Sequence, residues 1–292
     1  MNVWPSGSYK VPLRNSAEYR SCEHVTGVAL RKESSLPHPD HARVLITGAS
    51  GNLGRELAAR LARPGVRLSL WGRDRARLDD VAKLSRNQGA TVAVRSIDLT
   101  DFQSVLGALA QEDDADPFDI ALLVAGQGDT LPPDALVEDP AQVIRLIEGN
   151  YTAPAAMASA LAGRMAARGK GRIGLVGTAA ASHSLPFAAT YSGSKAGLAR
   201  HADALRLAVG HRGVSVTLIT PGFFAARARA GAAARSRPGE ISAGIVAERA
   251  IAAVMAGKAE VVVPRRFLLL RWLDGLLPRF LRDRLLLSLR LP

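Results

Sequence analysis

The chain has 292 residues, of which 48% are hydrophobic, and its formal net charge at pH 7 is +12. This length is enough for one large domain with a sizeable core, so burial of apolar surface does not limit folding. The single cysteine, Cys22, excludes an intramolecular disulfide and fits a reducing compartment, and the six histidines show no ligand spacing, so the sequence indicates no metal site.

The sequence divides into three segments. Residues 1–41 contain four prolines and no sustained period, which predicts an appended flexible extension that lacks the apolar core of a signal peptide. Residues 42–264 alternate apolar runs with helical patterns, which predicts one α/β domain. Residues 265–292 form a basic, leucine-rich tail. No run of roughly 18 uncharged apolar residues occurs, so no membrane-spanning helix is expected.

The apolar runs and helical patterns alternate along the domain. Strands are predicted at 43–47, 66–71, 91–97, 119–125, 172–178, 214–220 and 260–263. Helices are predicted at 52–61, 74–86, 101–111, 140–168, 189–211 and 243–256. This order predicts a doubly wound, parallel, seven-stranded sheet with helices on both faces. Ligands of such sheets bind at the carboxyl ends of the strands.

The first predicted strand leads through a glycine-rich turn into a helix. The turn contains Gly48, Ser50, Gly51, Asn52, Leu53 and Gly54. Glycines permit a tight turn and close approach of a ligand to the backbone, and the helix amino terminus presents N–H groups to a pyrophosphate. A plain strand-to-helix turn is the alternative, but the flanking strand and helix favour a dinucleotide site.

Tyr191 and Lys195 lie four residues apart in a helical pattern, so their side chains share one face of the helix. A neighbouring ammonium favours the phenolate and makes a tyrosine easier to ionise. Such a pair suits proton transfer near neutral pH, although a free tyrosine titrates at about 10. An exposed surface pair is the alternative interpretation.

Taken in chain order, these motifs resemble the short-chain dehydrogenases/reductases over most of the sequence. The resemblance implies a Rossmann-type NAD(P)-binding catalytic domain at 42–264 that transfers a hydride between a nicotinamide and a carbonyl or hydroxyl carbon. It implies Tyr191 as the acid, with Lys195 lowering its pKa and holding the nicotinamide ribose. It also implies Thr178 as the oxyanion donor and Asn150 as the anchor of a relay water. Further implied cofactor contacts are Asp98, Leu99, Ala125, Gly126, Pro221 and Gly222.

Several positions depart from the family pattern. The spacing of the glycines is commoner in the extended branch, and the standard branch has a small residue in place of Asn52. Val124 replaces the asparagine that closes the fourth strand, and Thr178 replaces the usual serine, whose donor capacity it shares. Residues 223–226 lack the usual threonine. These departures affect the expected efficiency of catalysis more than the expected fold.

The end of the second strand bears on the choice of cofactor. Gly72 stands where an acidic residue would accept from the 2′-hydroxyl of NAD. Arg73 follows, and a guanidinium suits the 2′-phosphate of NADP through charge-assisted hydrogen bonds. The sequence therefore favours NADP(H) over NAD(H). Asp74 is an alternative ribose ligand, or the N-cap of the helix that follows.

Three interpretations of function fit the sequence. The favoured one is an NADP(H)-dependent oxidoreductase in the cytoplasm, assembled as a homodimer or homotetramer as the resemblance implies. A non-catalytic dinucleotide-binding sensor and a membrane-surface interaction protein are alternatives on the same fold. An apolar lining from Phe187, Phe223 and Phe224, with arginines in the loop at 223–239, suits a hydrophobic or acyl-type carbonyl substrate with an anionic end.

The tail at 265–292 interleaves seven arginines and two aspartates with leucine, phenylalanine and tryptophan. This composition is typical of an interfacial helix, and Pro278 divides it into two pieces. Contact with the inner face of a membrane and packing against protein, within the subunit or across a dimer, are equally consistent with it. Nucleic-acid binding is disfavoured because the basic residues alternate with leucines.

Overall fold

The computed structural model describes residues 41–128, 130–132, 135–222, 241–268 and 277–288. The predicted extension up to residue 40 and the predicted substrate loop at 223–239, with Phe223 and Phe224, lie outside the described residues. Of the predicted tail, 265–268 and 277–288 are described.

Seven parallel strands form one sheet. They are β1 (Arg43–Thr47), β2 (Arg67–Gly72), β3 (Thr91–Ser96), β4 (Ile120–Leu123), β5 (Gly171–Val176), β6 (Val214–Pro221) and β7 (Glu260–Val263). Their spatial order is β3-β2-β1-β4-β5-β6-β7, and all six neighbouring pairs are parallel. The strand order reverses between β1 and β4, which creates the crevice where doubly wound sheets bind ligands. The predicted fold class is confirmed.

Helices cover both faces of the sheet. They are α1 (Asn52–Leu61), α2 (Arg75–Asn87), α3 (Phe102–Ala115), α4 (Pro140–Ile147), α5 (Ala153–Ala167), α6 (Ala189–Val209), α7 (Ala243–Met255) and a C-terminal helix (Arg279–Ser288). On one face, α1, α2 and α7 pack over Val44 and Ile46 of β1. On the other face, α3, α5 and α6 pack over Leu45. Successive strand residues point to opposite faces, so the apolar run of β1 is buried from both sides.

The helix predicted at 140–168 is interrupted in the structure. A π-helical turn, Glu148–Thr152, separates α4 from α5. Pro154 lacks the N–H that would donate to the carbonyl of Asn150 four residues earlier, which accounts for the interruption. Such turns often lie at functional sites, and this one contains Asn150, which the family resemblance implied as the anchor of a relay water.

The strand predicted at 119–125 ends at Leu123 in the structure. The next two N–H groups, those of Val124 and Ala125, donate to the Thr47 hydroxyl at 3.1 and 3.3 Å rather than to a neighbouring strand. The end of β4 is therefore fastened to the end of β1, although Val124 has no polar side chain of its own. This contact fixes the backbone that leads into Gly126.

Candidate active site

Two adjoining clefts lie at the carboxyl ends of the strands, with volumes of about 680 and 270 Å³. The larger is lined by the predicted cofactor residues Gly48, Ser50, Gly51, Asn52, Leu53, Gly54, Arg73, Asp98, Leu99, Ala125 and Gly126. The smaller is lined by Gly126, Thr178, Tyr191, Lys195, Pro221 and Gly222, among others. The fold thus brings residues from six strand ends into one continuous site, and Asn150 is buried next to it.

Close backbone contacts shape the glycine turn. Gly48 has a φ of +63°, a left-handed conformation that favours glycine. A Cβ atom on Gly48 would lie 2.8 Å from Cα of Ala125, and one on Gly54 would collide with the Gly48 carbonyl oxygen. The N-cap residue of α1, Gly51, makes no side-chain cap. An open cradle at a helix amino terminus fits the pyrophosphate of a dinucleotide.

Asp98 and Leu99 line the larger cleft after β3. The Asp98 carboxylate accepts from the N–H of Thr100 at 3.0 Å and from its hydroxyl at 2.9 Å. The backbone hydrogen bond from Thr100 is the main cause that lowers the pKa of Asp98. Asp98 therefore fixes a turn in the cleft wall. The N-cap of α3 is Asp101, which accepts from the N–H of Ser104 at 3.2 Å.

Two exposed arginines flank the larger cleft after β2. Arg73 and Arg77 both line it, and Nη2 of Arg77 donates to the Ser50 carbonyl at 2.8 Å. Asp74 accepts from the N–H of Arg77 at 3.0 Å as the N-cap of α2, the role that was the alternative to ribose binding. Arg77 was missed from the sequence, although its place in the first turn of the helix that follows Arg73 was a usable signal.

Lys195 is almost completely buried, with 3% of its surface exposed. Its ammonium donates to the carbonyl oxygen of Val176 at 2.8 Å. Burial lowers the pKa of Lys195 to about 8, because desolvation disfavours the charged form. A buried amine in the wall of a cleft is typical of a functional position.

Tyr191 lies one helical turn before Lys195 and lines the smaller cleft. Burial raises the pKa of Tyr191, and a hydrogen bond with the Thr178 side chain opposes this effect. The expectation that Lys195 lowers the pKa of Tyr191 is not met, because desolvation dominates and the ammonium is directed to Val176. Tyr191 is therefore protonated at neutral pH and able to donate a proton.

Asn150, Gly126 and Lys195 meet at one point of the cleft wall. The side chain of Asn150 accepts from the N–H of Gln127 and donates to its carbonyl, both at 2.8 Å. A Cβ atom on Gly126 would lie 2.9 Å from Oδ1 of Asn150 and 3.0 Å from Nζ of Lys195. Only a residue without a side chain lets the amide and the ammonium approach this position together.

Thr178 takes the place predicted for the oxyanion donor. Its hydroxyl hydrogen-bonds with Tyr191 and accepts from the N–H of Ala180 at 3.3 Å. A threonine hydroxyl keeps the donor capacity of a serine. The other hydroxyls of this stretch, Ser182 and Ser184, line neither cleft.

Sequence reasoning missed three further groups at the site. Gln127 and Val176 act through their backbones, and a backbone acceptor carries no signal in residue type. The Glu138 carboxylate accepts from the N–H of Thr190, the second residue of α6, at 3.0 Å. The two residues are 52 positions apart, so only the fold brings them together.

Within the described ranges, no group of His, Cys, Asp and Glu side chains is arranged to hold a metal ion. No helix in that part of the chain is long and apolar enough to cross a membrane.

Comparison with known proteins identifies relatives of most of the domain. A family model described as short chain dehydrogenase matches residues 42–236, more than half of the chain. An uncharacterized oxidoreductase of Myxococcus xanthus is 36% identical over 180 residues, which cover 61% of this chain and 70% of that protein. The chain spans less than two thirds of the length of several further relatives that it matches.

Two solved structures are similar over most of their length. One is the bulky-bulky ketone specific alcohol dehydrogenase from Comamonas testosteroni, with a TM-score of 0.70 and 25% identity over 85% of this chain and 95% of that one. The other is a short-chain dehydrogenase from Sphingobium yanoikuyae in complex with NADPH, with a TM-score of 0.70 and 26% identity over 86% of this chain and 96% of that one.

Proposed function

This chain belongs to the short-chain dehydrogenase/reductase family and is a nicotinamide-dependent oxidoreductase, and we propose that it reduces an apolar carbonyl compound with NADPH. The observation that carries the proposal is the convergence of Thr178, Tyr191 and Lys195 on a cleft that adjoins the glycine-turn cleft. In this reaction a ketone or aldehyde, NADPH and one proton give an alcohol and NADP⁺.

The cofactor would be held by residues of both clefts. The glycine turn would bind the pyrophosphate, because its backbone is open and lies at a helix amino terminus. The adenine would lie against Asp98 and Leu99. The nicotinamide riboside would lie against Lys195, Pro221 and Gly222. When bound, the nicotinamide supplies the hydride.

Proton transfer would be the work of this chain's own side chains. Tyr191 would give its proton to the substrate oxygen, and its raised pKa keeps that proton in place at neutral pH. The Thr178 hydroxyl would donate to the same oxygen as negative charge develops there. Lys195 and Asn150, which meet at Gly126, would hold a water that returns a proton from solvent to Tyr191.

The preference for NADPH over NADH is part of the proposal. Arg73 and Arg77 present two guanidinium groups at the mouth of the larger cleft, next to Ser50. Guanidinium groups bind phosphates through paired, charge-assisted hydrogen bonds. Asp74 caps α2, which leaves it less suited to compete for a ribose hydroxyl. The NADPH bound to the Sphingobium relative is consistent with this preference.

The surroundings of Tyr191 support an apolar substrate. Leu185, Ala188 and Leu286 form a buried cluster, and Phe187 and Tyr191 pack against it. An apolar wall at this place would bind hydrocarbon next to the reacting carbonyl. The similarity to an alcohol dehydrogenase specific for bulky-bulky ketones supports the same substrate class.

The proposed enzyme is an oligomer in the cytoplasm. The chain would form a homodimer or homotetramer through α4, α5 and α6, the family's dimer-forming helices, where Ile144 and Leu207 are 60% and 70% exposed. Exposed apolar side chains on such helices are typical of protein interfaces. The enzyme would be cytoplasmic, with residues 265–292 in contact with the inner face of a membrane or with protein.

The proposed reaction is tested by NADPH oxidation, followed at 340 nm, over a panel of ketones and aldehydes. The matched variant is Tyr191→Phe, which removes one hydroxyl and leaves the ring. We expect it to lose turnover by about 100-fold or more, while NADPH still binds as in the parent. If Tyr191→Phe turned over as fast as the parent, the acid role of Tyr191 would be wrong. If the parent did not bind NADPH, the cofactor assignment would be wrong.

A further inference from the structure

A leucine anchors the C-terminal helix, Arg279–Ser288, beside the candidate active site. Leu286 is 5% exposed and is buried together with Leu185 and Ala188. Tyr191 packs against this cluster and also lines the smaller cleft. The helix therefore borders the reacting end of the site.

The outward side of this helix carries large apolar side chains. Phe280 is 71% exposed, Leu281 46%, Leu285 54% and Leu287 72%. Helical spacing places Phe280 with Leu287 on one flank and Leu281 with Leu285 on the other. A surface helix normally turns its polar face to water. Here four large apolar groups face outward, which indicates that something covers them.

A second exposed apolar pair lies near the same part of the site. Leu136 is 93% exposed and Val137 is 74% exposed. The next residue, Glu138, accepts from the N–H of Thr190 at 3.0 Å, so this pair is tied to the start of α6. The pair and the C-terminal helix are thus both attached to the stretch 185–191. The docking surface consists of Leu136, Val137, Phe280, Leu281, Leu285 and Leu287.

Charge indicates what covers the docking surface. The C-terminal helix has three arginines and one aspartate, and Arg284 lies between its two apolar flanks. The stem of an arginine can follow apolar surface while its guanidinium reaches a phosphate. Pairing with a second copy of this helix would oppose like charges in a dry contact, which is unfavourable. An anionic bilayer offers hydrocarbon and negative charge together.

We propose that the docking surface binds an anionic lipid bilayer and that the substrate is an apolar carbonyl compound dissolved in that bilayer. The first half stands on exposure and charge alone, and the second half rests on the proposed function. A bilayer on the outward side of the C-terminal helix would lie one helix away from the apolar wall next to Tyr191, in which the inward-facing Leu286 is buried. Substrate would then pass from hydrocarbon to the site without crossing bulk water.

The binding half is tested by flotation of the full-length protein with vesicles. Phosphatidylcholine vesicles are compared with vesicles that also contain phosphatidylglycerol. We expect the parent to float with the anionic vesicles. We expect Phe280→Ser/Leu287→Ser to lose about tenfold or more in partitioning, since each substitution removes an apolar side chain that the bilayer would otherwise bury. The matched control is Leu84→Ser/Leu106→Ser, which removes exposed leucines from α2 and α3 and should float like the parent.

Three flotation results would overturn the docking surface. These are undiminished flotation of Phe280→Ser/Leu287→Ser, equal loss in the control, and flotation of the parent that is the same for neutral and anionic vesicles. Light scattering of each variant provides a fourth contrary result. If Phe280→Ser/Leu287→Ser formed a smaller oligomer than the parent and floated like the parent, the docking surface would be a contact between copies of the chain.

The substrate half is tested with two ketones, one dissolved in the bilayer and one dissolved in water. A long-chain ketone embedded in the anionic vesicles is compared with a short, water-soluble ketone. We expect Phe280→Ser/Leu287→Ser to lose about tenfold in kcat/KM on the embedded ketone and to keep its rate on the soluble one. If the parent and Phe280→Ser/Leu287→Ser reduced the embedded ketone at equal rates, the passage of substrate from the bilayer to the site would be refuted. If the parent reduces neither ketone, the proposed function fails, whereas flotation still decides the docking surface.

Discussion

Glu138 caps the helix that carries Tyr191. Its carboxylate accepts from the N–H of Thr190 at 3.0 Å and also binds the Thr190 hydroxyl. The first N–H groups of a helix have no partner within the helix, and the N-cap residue of α6, Ala188, provides no side-chain cap. A residue from the loop after β4 therefore does the work of a local cap, and it does so one residue before Tyr191.

We expect Glu138→Ala to lower kcat about tenfold, because the first turn of α6 loses the contact that fixes it. The stability loss should be about 1 kcal/mol, as for removal of other caps. Glu138→Gln keeps an acceptor and should restore most of kcat. Steady-state kinetics and thermal melts of both variants measure this.

Asp139 provides the matched control for Glu138. Its carboxylate accepts from the N–H of Ala141 at 2.8 Å and caps α4 instead of α6. Asp139→Ala should cost similar stability and leave kcat within about twofold of the parent. An equal fall of kcat in the two alanine variants would show that Glu138 acts through general stability alone.

Gly126→Ala should impair turnover with little loss of stability. The new methyl group would lie 2.9 Å from Oδ1 of Asn150 and 3.0 Å from Nζ of Lys195, so one of these side-chain ends must move. We expect kcat to fall about 100-fold, since both groups belong to the proposed proton route. Gly107→Ala on α3, where nothing lies within 4 Å, is the control and should behave like the parent. A fully active Gly126→Ala would remove Asn150 and Lys195 from a shared relay.

Arg73 and Arg77 should discriminate NADPH from NADH. Arg73→Glu should raise KM for NADPH far more than KM for NADH, because it replaces a phosphate ligand with a repelling charge. Arg77→Gln should raise KM for NADPH about tenfold, and it also removes the bond to the Ser50 carbonyl. Arg75→Gln is the control, because Arg75 is paired with Asp79 and lies outside the lining of the clefts. Equal changes of both KM values in Arg73→Glu would contradict the assignment.

The sequence predicted what depends on local pattern and residue type. Strand and helix periods indicated all seven strands of the sheet, and the glycine turn and the Tyr191–Lys195 spacing located both clefts. The predicted end of a strand was wrong where a side chain distant in the sequence bound its backbone. At the end of β4 the Thr47 hydroxyl accepts from the N–H groups of Val124 and Ala125.

The electrostatic environment of the site residues could not be predicted from the sequence. The Tyr191–Lys195 spacing suggested a lowered tyrosine pKa, yet burial raises it, and the ammonium binds the Val176 carbonyl. Both effects depend on what surrounds the pair in three dimensions. The same holds for Glu138, whose partner lies 52 positions away and whose residue type alone suggests only a surface charge.

The depressed pKa of Lys195 predicts a pH dependence of stability without cofactor. Burial lowers the pKa of Lys195 to about 8 in the folded chain, whereas an unfolded lysine titrates at about 10.4. Between about pH 8 and 10 the unfolded chain therefore binds more protons, and the free energy of unfolding rises with pH, by up to roughly 3 kcal/mol from this group. Above about pH 10 the raised pKa of Tyr191 acts in the opposite direction.

Lys195→Met should lose this rise, because it carries no titrating group at the buried position. Urea unfolding of parent and variant at several pH values between about 7 and 10 measures the difference, which should grow with pH in favour of the parent. Lys258→Met removes an exposed lysine and should run parallel to the parent. Parallel curves for Lys195→Met as well would mean that the ammonium keeps its solvation in the folded chain, and the proposed proton route would then lose its buried amine.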